Sequence, residues 1–166
     1  MNLNKKQNNL IKNSMKTVDI AKDIIHFCKI NNVSFDATKI QKLLYIFVGY
    51  TLINNPDDED RIVDEAPQAW PYGPVFKKVY DNYTSIANSV GENYKPSVSG
   101  IAANILEKTV IPQWGKYTSK QLSDWSCSLG SPWNYVVNER RDRWGAKIDF
   151  YLITPYFKEL INQKIV

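Results

Sequence analysis

Nucleophilic and metal chemistry leave recognisable spacings in a sequence, and this chain offers few residues for either. It holds one histidine, His26, and two cysteines, Cys28 and Cys127. There is no HExxH, no paired-cysteine motif and no histidine cluster, so nothing points to a metal site. A Cys–His nucleophile pair would need Cys127 and His26 to meet in space. His26 lies in an apolar helical stretch, where it and Cys28 are expected at the core or its margin. Phosphate cradles need clustered glycines ahead of a helix, and the seven glycines here are scattered. Tyr72-Gly73-Pro74 precedes an expected helix, but Pro74 removes one of the amides that would hold an anion. The acidic run at residues 57–60 reads as a solvated loop. The residues therefore assign no catalytic group, no metal and no cofactor.

Charge and composition narrow the remaining classes. The chain has 166 residues, the length of one domain, and its 43% hydrophobic content is enough for a real core. The net charge is +4, and Lys5, Lys6, Lys12 and Lys16 account for it, so the rest of the chain is formally neutral. A duplex-binding face needs clustered Lys and Arg. The first two helices have helix-turn-helix proportions, yet the second offers only Thr38, Lys39, Gln41 and Lys42 to a groove. DNA binding is thus the secondary expectation. No apolar run reaches membrane-spanning length, and the leader lacks a signal-peptide core. With two separated cysteines, the sequence reads as cytoplasmic, with no membrane partner.

The elements that must position these residues are mostly helical. Residues 1–16 read as a flexible basic tail, and 17–166 as a single domain. Thr17 is placed to cap a helix with Ile20, Ile24, Phe27 and Cys28 on one face. A second helix, capped by Asp36 or Thr38, carries Ile40, Leu43, Leu44, Phe47 and Val48, with Lys39 and Lys42 near its opposite side. It is the most hydrophobic segment and belongs at the centre of the core. A short strand at 61–63 is expected to pair with Gln68–Trp70. Pro74 suits the first turn of a third helix, with Val75, Val79, Tyr80 and Tyr83 on one side. A loop at 84–97 leads to a helix from Val98 to Ile111, with Ile101, Ile105 and Leu106 inward, which Pro112 kinks or ends. Thr118 with Gln121 has capping-box spacing. Ser131-Pro132 and Thr154-Pro155 both read as helix starts. The fold class is mainly α: a compact multi-helix domain with at most a small β-hairpin.

Several blocks taken together resemble a known family. TVDIAKDII, KIQKLLYIFVGY, QAWPYGPVFKKVYDNY, YTSKQLSDWSCSLGSPW and the Ile148…Tyr156-Phe157 ending follow the order and spacing of the Panacea domain, also called the SocA-like or phage-associated GepA-like family. The resemblance covers about residues 17–160. Lys39, Leu43, Leu44 and Tyr45 match one block, with Ile40 replacing the usual Leu. Trp70, Gly73, Pro74 and Val75 match the second, and Pro132 and Trp133 the third. The chain departs from the family at Ser126-Cys127, where Thr-His is frequent. The resemblance implies a helical antitoxin of bacteria, phages or other mobile elements, which neutralises a cognate toxin by direct binding. The alternative it implies is an adaptor that delivers its partner to a protease, or an inhibitor of a host protein. In either case the chain is expected to be a non-enzymatic interaction module. Candidate partner contacts are Lys39, Lys42 and Tyr45 on the second helix, Trp70, Tyr72, Gly73, Pro74 and Val75 at the corner, and Trp133. Each of these has a competing role in packing or, for the lysines, on a solvated helix face.

Overall fold

In the computed structural model, which describes residues 14–163, helix α2 (Ala37–Asn54) organises everything else. Tyr45, Ile46 and Leu52 extend the expected apolar stripe around most of the helix. A helix that is apolar nearly all round must be surrounded. Helix α1 (Thr17–Ile30), α6 (Ser119–Ser126) and α8 (Phe150–Gln163) pack on α2, together with a β-hairpin. Gly49 lets α8 approach, since a Cβ there would stand 2.4 Å from the Phe157 ring. Asp36 caps α2 as expected, its carboxylate accepting from the Lys39 amide at 2.8 Å. The polar side expected for α2 is absent: Lys39 and Lys42 are 5% and 1% exposed. Their ammonium groups are taken up by carbonyls, Lys39 Nζ donating to Gly115 O at 2.7 Å and Lys42 Nζ to Pro74 O at 2.9 Å.

Strands β1 (Gln68–Trp70) and β2 (Gly73–Val75) form the hairpin, in the register Gln68↔Val75, Ala69↔Pro74 and Trp70↔Gly73. Its turn is Pro71-Tyr72. The expected partner of β1 was residues 61–63. Val63 instead makes a parallel bridge to Met15, which draws residues 14–16 out of the expected tail and into the fold. Residues 1–13 of that tail lie outside the described residues. On its other side β1 meets residues 145–148, through Ala69 N to Ala146 O, Gly145 N to Ala69 O and Ile148 N to Pro67 O, each 2.8 Å. Pro74 therefore sits inside a strand, and helix α3 begins later, at Lys77–Asp81.

The remaining helices differ from expectation at their ends. Helix α4 (Tyr83–Ser89) occupies part of the expected loop. Helix α5 (Gly100–Ile105) starts two residues late and leaves Ile101 60% exposed, while Ile105 and Leu106 are buried as expected. It continues in wide π turns over Leu106–Trp114 and so passes through Pro112. Pro112 donates no amide in either register, so the carbonyl that goes without it is that of Lys108 in an α turn and that of Glu107 in a π turn. Helix α8 starts at Phe150 rather than at Pro155, because the spacing of Phe150, Ile153 and Phe157 buries one face across the proline. The Thr118–Gln121 capping box forms as expected, and Ser131 caps α7 (Pro132–Asn134).

Two carboxylates shape the periphery, and the sequence pattern does not flag them. Asp23, fully buried on α1, accepts from Tyr94 Oη at 2.6 Å, Ser97 Oγ at 2.8 Å, and the amides of Ser97 and Val98 at 3.0 Å. It pins the 91–98 loop to α1. Asp64 accepts from the Thr17 amide at 2.9 Å, so the start of α1 is capped from a distant loop and Thr17 is its first helical residue, not its cap. No helix among the described residues is long and apolar enough to cross a membrane.

Candidate functional site

Three blocks far apart in sequence meet at one corner. Gln41 of α2 pairs in both directions with the backbone of Phe76: its Nε2 donates to Phe76 O at 3.1 Å, and Phe76 N donates to its Oε1 at 2.8 Å. The next residue, Lys42, holds the carbonyl of Pro74. Gly73, the residue before Pro74, is pressed onto Lys42 and onto α6. Its φ is +113°, and a Cβ there would lie 2.4 Å from Ser126 Oγ and 2.9 Å from Lys42 Cε. From the third block, Trp133 Nε1 donates to Trp70 O at 2.8 Å. Side chains that recognise backbone thus stitch β2 and the residue after it to α2, and α7 to β1. Gly73 is the residue that permits the close approach.

The electrostatics of this joint follow from burial. Lys42 has no carboxylate partner among the described residues, and desolvation draws its ammonium down to about 8, with the Cys127 thiol opposing the change. Burial raises the Cys127 thiol, against the pull of the Ser126 hydrogen bond and of Lys42. Ser126 Oγ donates to Ser123 O at 2.9 Å and lies 4.0 Å from Cys127 Sγ. Amine and hydroxyl are therefore spent on carbonyls, and the thiol keeps its proton at neutral pH. His26 packs on the rings of Phe27 and Tyr94, while Cys28 is wholly buried and its thiol is pushed up to about 11 by desolvation. Among the described residues no three His, Cys, Asp or Glu side chains gather into a metal-binding group.

The candidate contacts therefore divide into two sets. Lys39, Lys42, Tyr45, Gly73, Pro74, Val75 and Trp133 are buried. Tyr45 packs between the Trp125 and Phe157 rings, and its hydroxyl has no hydrogen-bond partner among the described residues. Only Trp70 and Tyr72 remain for an outside partner. Tyr72, at the hairpin tip, is 78% exposed. Trp70 is half-buried and lies 4.6 Å, centroid to centroid, from the exposed Tyr80 of α3. Tyr80, expected on one side with Val75, Val79 and Tyr83, is exposed where Val79 is buried, and its ring widens the aromatic surface. These three rings, with Tyr83 and Val75, border an apolar groove of about 330 Å³. Tyr80 is not among the contacts expected from sequence, Gln41 was offered only to a nucleic-acid groove, and Ser126 only as a departure from the family. Gln41 carries the one readable signal, a polar side chain inside the most apolar run of the chain.

Comparison with protein families, with curated proteins and with solved structures returns no match to this chain.

Proposed function

We propose that this chain is an antitoxin, which neutralises a cognate toxin by direct protein–protein binding and has no catalytic step of its own. The outer face of the hairpin corner is the contact. The observation that carries the reading is Tyr72: a large aromatic side chain, 78% exposed, at the tip of a turn whose two strands are fixed by Gln41, Lys42 and Trp133. Aromatic groups on a pre-shaped turn bind at small conformational loss and supply much of an interface's energy. The resemblance of the three corner-forming blocks to the Panacea domain supplies the partner class, a toxin encoded beside the antitoxin. The test is co-expression with the product of the adjacent gene, followed by size exclusion of the purified pair. Rescue of growth and a co-eluting complex are expected. No rescue and no complex would sink the reading.

A further inference from the structure

We infer that the recognition surface runs from the hairpin tip across β1 to the 140–145 loop, and that its partner is a protein with an acidic face around an apolar centre. This deepens the protein-binding reading and rests on it, but its test does not need the toxin. Continuity comes first. Residues 145–148 are hydrogen-bonded along β1, so the loop before them lies at the edge of the same small sheet. Trp133, whose indole is anchored on Trp70 O, has its ring 6.1 Å from that of Trp144. Tyr72 and Tyr80 border one groove with Trp70, and Trp144, 56% exposed, follows beside the other edge of β1.

Charge comes second. Arg140 is paired with Asp142, and Lys147 with Asp149. The guanidinium groups of Arg141 and Arg143 have no carboxylate within ion-pair distance among the described residues, and both side chains are exposed. A lone unpaired surface arginine means little. Two beside an exposed tryptophan match the residue types enriched in interface centres. Arg141 also holds φ at +56°, a conformation non-glycine residues seldom adopt. The bonds Arg140 N to Tyr135 O at 2.8 Å and Asp142 N to Val136 O at 3.0 Å flank it. The loop is therefore pre-shaped, and strain of this kind concentrates where groups are presented. Nucleic acid is the less favoured occupant, because the body is formally neutral and two free arginines do not make a phosphate-tracking stripe.

The test titrates the full chain with three probes: a synthetic peptide of alternating glutamate and leucine, its lysine–leucine counterpart, and an oligo-dT, each about twelve units long, chosen to separate charge from apolar contact. Binding is read by tryptophan fluorescence and calorimetry. The glutamate peptide is expected to bind, to weaken with added salt, and to lose roughly tenfold in affinity to R141E/R143E, mainly through slower association. Trp144→Ala gives a second, uncharged readout and is expected to weaken the same peptide. The inference is overturned if the wild type ignores the glutamate peptide, if both variants bind it unchanged, or if the lysine peptide or oligo-dT binds more tightly. Peptide binding without binding of the adjacent gene's product would remove the antitoxin reading and leave this surface standing. The reverse result would do the opposite.

Discussion

The inner and outer faces of one hairpin are built from neighbouring residues and do different work. Gly73, Pro74 and Val75 are buried, Gly73 against Lys42 of α2 and Ser126 of α6, while Val75 borders the groove. Pro71 and Tyr72, between the same two strands, face outward. Inside, three polar side chains take backbone partners: Gln41 on Phe76, Lys42 on Pro74, Trp133 on Trp70. Outside, the rings of Tyr72 and Tyr80 are left to solvent. The difference teaches that a block of sequence that carries a resemblance need not be a contact surface. Most of its residues can serve to hold a few others still. Substitutions inside are then expected to act on stability, and substitutions outside on binding.

The largest effect is expected at Gly73. Gly73→Ala places a Cβ 2.4 Å from Ser126 Oγ at a φ of +113°, combining overpacking with backbone strain. A loss of about 3 kcal/mol or more is expected in chemical denaturation. A loss under about 0.5 kcal/mol would mean that the joint tolerates slack and would blur the two faces. Gln41→Leu comes next. It keeps the side chain's bulk but leaves the Phe76 amide buried and unpaired, while the Phe76 carbonyl keeps the Tyr80 amide at 3.0 Å, for an expected loss of about 2 kcal/mol.

Lys42 gives the pH dependence its sign. Its folded value of about 8 lies below the 10.5 of an unburied lysine. Between those two values the unfolded chain binds a proton that the folded chain has released, so stability from this residue rises with pH across that window. Below about pH 8 both states carry the proton and the penalty of burying the charge is constant. Wild type compared with Lys42→Met is therefore expected to gain on the order of 2 kcal/mol between about pH 8 and pH 10. Near neutral pH the two should differ by about 1 kcal/mol or less, since an apolar isostere replaces an unpaired buried charge. Taking the difference cancels the thiol of Cys28, which titrates in both proteins and acts in the opposite direction. A flat difference across the window would show that Lys42 stays charged and solvated.

Much of the architecture was legible because it rests on local rules. The caps at Asp36, Thr118 and Ser131 are short-range geometry, and all three form. The centrality of α2 followed from the number of apolar residues around its circumference. What could not be read depends on distant backbone. Lys39 and Lys42 look like a solvated face until Gly115 O and Pro74 O are brought to them from 76 and 32 residues away. Asp23 looks like an ordinary surface acid until the 91–98 loop folds onto it. The strand pairing was misassigned for the same reason: β1 finds β2 across a two-residue turn, and residues 145–148 occupy its other edge. At the candidate site, sequence named the blocks that converge but not which of their residues turn outward.

Tyr72→Ala is expected to have the smallest effect on stability and the largest on recognition, which makes it the most direct measurement. The side chain is 78% exposed, so its removal should change stability by about 0.5 kcal/mol or less. Thermal denaturation and size exclusion with the adjacent gene's product, run on the same preparation, read both quantities. An unchanged melting temperature with a lost or severely weakened complex is the expected result. A lowered melting temperature with the complex intact would place Tyr72 with the packing residues and contradict the division between the two faces.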